Sequence, residues 1–162
     1  MKILSTQPRD PSLRGFPPRW ALDYLTTVEA LLASARRKVR VISPFVDMTG
    51  VEVLSSASDR NQADPGWEVY VRTAPQGLLR EARKRDWAVF EYRGTQGGDQ
   101  RRGFHCKLVI SDDEKAVVGS ANLFYENLVE NVELGVLLEG SAEVGPLIRV
   151  PQLLKRACQR VA

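Results

Sequence analysis

Hydrophobic positions along this chain alternate between helical and strand spacing. Ala21, Leu25, Val28, Leu32 and Ala35 recur at helical intervals, and Leu22 and Leu31 widen the stripe. This predicts an amphipathic helix over 20–38. Residues 39–45 (VRVISPF) are rich in β-branched side chains and run into a proline, the pattern of a buried strand. A short helix is expected over 49–56. WEVYVR at 67–72 and AVFEY at 88–92 read as further strands. Between them, 77–86 sets Leu78, Leu79 and Ala82 against a basic face and predicts a second clear helix. A polar, glycine-rich loop fills 93–103. Strands at 104–110 and 115–118 flank the acidic turn Ser111-Asp112-Asp113-Glu114. A short helix over 122–131, a strand over 132–138 (VELGVLL at its core) and a largely helical tail follow. The first 18 residues hold four prolines and no periodicity. We therefore expect an irregular lead-in over 1–19 and a single domain over 20–162. Alternating strands and helices give an α/β architecture with helices layered on a sheet. There is no internal repeat.

Composition narrows the class only a little. At 162 residues, 43% hydrophobic and 27% charged, the chain has an ordinary globular make-up. A net charge of +3 and a pI near 9.0 suit a polyanionic partner without requiring one. Two cysteines, Cys106 and Cys158, are too few for a disulfide scaffold and point to a reducing compartment. No stretch approaches the ~20 apolar residues of a membrane span, and the N-terminal segment lacks a signal-peptide core. The expectation is a soluble, cytoplasmic protein.

Chemistry concentrates between His105 and Asn122. Alternate strand residues share a face. His105 and Lys107 should therefore point together, with Cys106, Leu108 and Ile110 turned into the core. An imidazole beside an ammonium is a poor core face and a good phosphate site. Gly119-Ser120-Ala121-Asn122 is expected to end the next strand and open a helix. There Ser and Asn would serve as caps, and free N–H groups would attract phosphate oxygens. Pairing of the two strands would gather these donors around the one nucleophilic imidazole.

His105, Lys107, Asp112, Gly119, Ser120 and Asn122 resemble the HKD motif of the phospholipase D superfamily at its full spacing, His-x-Lys-x4-Asp-x6-Gly-Ser-x-Asn. VISPF before the motif and ENVELGVLLEG after it are similar to the family's flanking strands. The likeness implies a phospholipase-D-like fold, a mixed β-sheet flanked by helices on both faces. It implies that His105 attacks phosphorus to form a phosphohistidine, and that Lys107, Ser120 and Asn122 hold the phosphoryl oxygens. It gives Glu133 the task of hydrogen-bonding and orienting the histidine. Asp112 and Gly119 become structural members of the motif. No metal and no cofactor are implied. A neutral imidazole backed by a carboxylate is a competent nucleophile, and fixed donors stabilise charge spread over a phosphoryl group.

The family mechanism implies two histidines, one to attack and one to protonate the leaving oxygen, and this chain has one. A homodimer sharing one site is the simplest completion; a second motif supplied by a different chain, or an isolated domain that is inactive, are the alternatives. Small single-motif members resemble metal-independent endonucleases, so nucleic acid, DNA or RNA, is the leading substrate. A phospholipase or phosphatidyl transferase, and a non-catalytic nucleic-acid-binding subunit of a restriction or anti-phage defence complex, stay open. Arg101 and Arg102 either grip a nucleic-acid backbone or belong to a solvated loop. The basic runs at 36–38 and 83–85 read as solvated faces, and the three tryptophans as core.

Overall fold

In the computed structural model, residues 1–13, 18–94 and 103–162 are described. Among them, nine strands form one mixed sheet in the order β2-β1-β8-β7-β6-β3-β4-β5-β9. In chain order these are β1 (Lys2–Ser5), β2 (Leu22–Asp23), β3 (Lys38–Ile42), β4 (Gly66–Val71), β5 (Ala88–Tyr92), β6 (Lys107–Ser111), β7 (Lys115–Gly119), β8 (Leu134–Glu139) and β9 (Cys158–Arg160). β3, β4 and β5 run parallel, while β6, β7 and β8 form an antiparallel meander beside β3.

Strand alternation divides the core in two. Val39, Val41, Trp67, Val69, Val89, Val109, Val117 and Leu137 face one side. They pack there on α1 (Tyr24–Ala33), α2 (Met48–Arg60) and α3 (Gln76–Arg85). Ile42, Tyr70, Leu108, Ile110 and Ala116 face the other side, under α4 (Ser141–Val144) and α5 (Arg149–Ala157). The expected α/β sheet with helices on both faces is the observed fold. Glu68 is buried on the second face. Burial raises its carboxyl, but hydrogen bonds from Lys155, Lys38 and Tyr70 outweigh this and bring it down to about 2. Lys155 reaches Glu68 at 2.6 Å and so ties α5 to the sheet.

Three expectations are corrected. The lead-in is not irregular throughout: Lys2–Ser5 form β1, which pairs with β8 because Ile3 and Leu4 supply the alternation of a short strand. The first helix starts at Tyr24, where Asp23 caps it by accepting from Thr26 N–H at 2.7 Å, and Leu22–Asp23 add a parallel edge strand instead. Trp67 and Trp87 stack in the core with centroids 4.9 Å apart, but Trp20, just outside α1, is 67% exposed. The tail is largely helical as expected and closes in β9 from Cys158. No helix among the described residues is long and apolar enough to cross a membrane.

Candidate active site

The site lies at one end of the central hairpin. Lys107 opens β6 opposite Gly119, which closes β7. β3 ends beside them, with Ile42 opposite Leu108. Ligands of α/β sheets collect outside such strand ends. Lys107 points to the α1 face and is 7% exposed. Its Nζ donates to the His105 carbonyl at 2.9 Å and lies 3.0 and 3.1 Å from the two ring nitrogens of His105. An ammonium nearly equidistant from the two ring nitrogens does not lie along the in-plane lone pair of the unprotonated one, so it does not consume that nucleophilic pair. Burial lowers the Lys107 pKa, opposed by the negative charge of Glu133 and by Cys106. Lys107 makes no ion pair among the described residues. Cys106, expected in the core, is exposed, because regular strand geometry begins only at Lys107.

Gly119 is a glycine for steric reasons. A Cβ there would lie 2.5 Å from the hydroxyl oxygen of Tyr24 and 3.0 Å from the carbonyl of Leu134. Tyr24 is buried, and burial followed by the charge of Glu133 raises its phenol well above the ordinary range. Beyond Gly119 the chain does not open a helix. The segment from Ser120 to Phe124 runs irregularly, and the next helical element is a five-residue π-turn, Glu126–Glu130, capped at Tyr125. The expected phosphate site on a helix N-terminus is therefore absent. Four contacts hold the segment instead. Leu123 N–H donates to Ser43 Oγ at 3.0 Å, and Asp47 N–H to the Leu123 carbonyl at 3.1 Å. Tyr125 N–H donates to the Asp47 carboxylate at 2.8 Å, and Val46 bridges Leu123. Ser43 is the serine of VISPF, so that flanking stretch positions the motif's last residues.

Ser120 and Glu133 hydrogen-bond through Ser120 Oγ–H and Glu133 Oε2. The other carboxylate oxygen accepts from Asn127 Nδ2 at 2.6 Å. Asn127 Oδ1 in turn accepts from Asn122 Nδ2 at 3.0 Å and from Asn122 N–H at 3.3 Å. Asn122 Oδ1 is buried and has no hydrogen-bond partner among the described residues. Glu133 is 8% exposed, and its N–H donates to Thr6 Oγ1 at 2.8 Å. The hydrogen bonds of Glu133 thus go to Ser120, Asn127 and Thr6, and none goes to His105. The structure brings together His105 with Lys107, and Ser120 with Asn122 and Glu133.

Asp112 sits at the opposite end of β6, in the αL region with φ 56°. Its carboxylate accepts three backbone N–H groups, from Arg37 at 2.7 Å, Arg36 at 2.8 Å and Lys38 at 3.0 Å. Burial raises its pKa, but those donors, Lys38 first, outweigh it and hold the carboxyl below the usual range. Arg101 and Arg102 lie outside the described residues. Sequence reasoning missed Thr6, Tyr24, Ser43, Asp47 and Asn127. Only Asp47 carried a local signal, as a capping residue ahead of a helix: it caps α2 by accepting from Gly50 N–H at 2.9 Å.

A family model described as "Cardiolipin synthase, PLD-like domain" matches residues 28–150. The chain belongs to the phospholipase D superfamily. The match spans all six motif residues. Among curated proteins, the chain is similar to the DISARM protein DrmC of Bacillus paralicheniformis, at 30% identity over 105 residues. That alignment covers 61% of this chain and 41% of DrmC, so the chain spans less than half of that relative. Among solved structures, Nuc from Salmonella typhimurium, a phospholipase D family member, has a TM-score of 0.65 at 15% identity, covering 83% of this chain and 88% of Nuc. NucT from Helicobacter pylori gives 0.65 at 15%, covering 84% and 89%. The archaeal chromatin protein TrmBL2 gives 0.57 at 12%, covering 84% and 50%. These structural likenesses establish a phospholipase-D-like fold.

Proposed function

We propose that this superfamily member is a metal-independent phosphodiesterase that cleaves nucleic acid, DNA or RNA. The observation that carries the reading is Lys107: a buried ammonium beside the single histidine, with no carboxylate in ion-pair contact. The charge of Glu133 acts on it without ion-pair contact and offsets the cost of burial only in part, and a bound phosphate group removes that deficit. In the proposed reaction a ring nitrogen of His105 attacks phosphorus. The bond to the leaving oxygen breaks as that oxygen takes a proton, and a phosphohistidine forms. Water then attacks phosphorus and gives a proton to the imidazole that protonated the leaving oxygen, the N–P bond breaks, and both imidazoles return to their starting states. Lys107, Ser120 and Asn122 hold the phosphoryl oxygens. Glu133 supports the site through Ser120 and through its charge near Lys107.

A second copy's His105 is the proposed proton donor in the first step, since these 162 residues hold one histidine. Leu134, next to Glu133, and Ile3 are 50% and 39% exposed, leaving apolar surface beside the site for that copy. The DrmC likeness supports work within a larger defence assembly. A lipid substrate is favoured by one observation: Phe45, Met48 and Phe124, on the segments that hold Asn122, are 46%, 49% and 37% exposed.

One experiment separates the readings. Single- and double-stranded DNA and RNA, and phosphatidylglycerol vesicles, are incubated with the wild-type chain and with His105→Ala in excess EDTA. The proposal expects wild-type cleavage of nucleic acid and none by the variant. Hydrolysis of vesicles alone would replace it with the lipid reading. Nucleic-acid binding without cleavage would replace it with a non-catalytic subunit.

A further inference from the structure

We infer that Asn127 is a positioning residue for the proposed phosphodiester site, and the inference rests on that reading. The side chains form a closed hydrogen-bonded circuit. Ser120 binds one oxygen of Glu133, and the other oxygen takes Asn127 Nδ2 at 2.6 Å. Asn127 Oδ1 takes Asn122 Nδ2 at 3.0 Å and N–H at 3.3 Å. The backbone from Ser120 to Asn122 closes the ring. Ser120, Asn122 and Glu133 are residues already assigned to the site. Asn127 is the member that was not, and it is the link between the amide and the carboxylate.

The chemistry of the link is specific. Rotating the Asn127 amide by half a turn would set NH2 against two donors and C=O against a carboxylate, so its neighbours fix one orientation. That orientation fixes Asn122, whose Nδ2 spends one hydrogen on Asn127 and keeps the second for a ligand. It also anchors Glu133 on the side away from Ser120. An alanine at 127 frees both. An aspartate still accepts from Asn122 but places a second carboxylate against Glu133. Two carboxylates at hydrogen-bond distance cannot both ionise easily, so one holds a proton to higher pH. The titratable groups that face Glu133 from other elements are Lys107 on β6 and Tyr24 on α1.

The π-turn explains the placement. Asn131 N–H donates to the Glu126 carbonyl at 2.7 Å, which closes the wider turn, and Leu128 is buried beneath it. Such turns recur at functional sites.

The test uses bis(p-nitrophenyl) phosphate, which needs no nucleic-acid groove, together with tungstate affinity and thermal melting. Wild type, Asn127→Ala and Asn127→Asp are compared across pH. Expected is a loss of roughly 10- to 100-fold in kcat/KM for Asn127→Ala, the scale of one hydrogen bond to a charged group, with weaker tungstate binding. Asn127→Asp should in addition move the acid limb of the pH–rate profile to higher pH. Variants that melt earlier but keep wild-type kcat/KM, tungstate affinity and pH limb per folded molecule would reduce Asn127 to a structural residue and overturn the inference. A wild type that binds tungstate without turnover sinks the catalytic reading alone, and the inference then stands or falls on the variants' tungstate affinities. A wild type that neither binds nor turns over overturns both.

Discussion

Replacing Asp112 should weaken the fold and leave the chemistry in place, although Asp112 belongs to the same six-residue motif as His105. Five strand residues at ~3.4 Å each put it about 17 Å from Lys107. Its carboxylate accepts three backbone N–H groups of the α1–β3 loop, Arg37 and Lys38 on Oδ1 and Arg36 on Oδ2. A hydrogen bond to a charged group contributes roughly 1.5–3 kcal/mol. Arg36 and Arg37 are exposed, so water replaces much of two of the three. The αL backbone at φ 56° adds a further ~1 kcal/mol when the residue becomes alanine. Asp112→Ala should therefore cost about 2–3 kcal/mol. Asp112→Asn tolerates αL and still accepts from Arg37 and Lys38, but turns its NH2 toward Arg36 N–H, for about 1–2 kcal/mol. Asp112→Gly relieves the backbone term but not the lost acceptor, and should fall about 1 kcal/mol short of alanine. Urea titrations give these differences, and thermal melts should show them as roughly 2–4 °C of melting temperature per kcal/mol for a chain this size. The folded carboxyl lies below its ordinary value of 3.8. Its contribution is complete above that value and is lost as pH falls through the folded pKa, so wild type and Asp112→Asn should converge in stability on acidification below it. Turnover per folded molecule should match wild type for Asp112→Asn. Unchanged urea midpoints together with lost turnover would refute this account and move Asp112 into the chemistry.

Hydrolysis should persist in excess EDTA, because among the described residues no group of three or more His, Cys, Asp and Glu gathers to hold a metal ion. Loss in chelator with rescue by a divalent ion would overturn the metal-free route. Activity should fall faster than linearly on dilution, in step with dissociation followed by sedimentation, since one chain supplies one histidine. A fully active monomer would argue against the shared site. Gly119→Ala puts a Cβ 2.5 Å from the Tyr24 oxygen. It should cost about 1–3 kcal/mol in thermal melts, the scale of overpacking in a core, and lower turnover with it.

How far the sequence could be read depended on whether a signal was local. AVFEY at 88–92 is the observed β5, because alternation and β-branching act residue by residue. β1 was hidden because four residues are too few to show a period beside prolines, and its partner β8 lies more than 125 positions away. The stripe over 20–38 overruns the first helix because Ala21 and Leu22 fit it, while Asp23 carries the true start as a cap. His105, Lys107, Ser120 and Asn122 stand out as candidates through their spacing and the family resemblance it carries. Thr6 and Tyr24 were not, because they reach the site only when β1 and α1 fold against β8 and the hairpin. Asn127 was masked by the expected α-helix over 122–131. In an α-helix it would sit one and a half turns from Asn122, and only the irregular segment and π-turn bring the two amides together.

The spacing of the motif is itself hairpin arithmetic. β6 and β7 have five residues each, joined by Asp112, Asp113 and Glu114, so the chain returns to its start with Lys107 opposite Gly119. Four residues between Lys107 and Asp112 are the rest of one arm, and six between Asp112 and Gly119 are the remainder of the turn and the other arm. Asp112 and Asp113 hold φ of 56° and 63°, which aspartate accepts more readily than most residues. The turn is then fixed to the α1–β3 loop by the Asp112 carboxylate. β3 leaves that loop and ends beside Lys107, so anchoring the far end of the hairpin also sets its register against β3. A strand slip of one residue would send Lys107 to the opposite face. The motif's aspartate and its histidine are therefore coupled through register rather than through contact. That coupling is the physical reason a residue about 17 Å along the strand from Lys107 keeps a fixed distance from it in sequence.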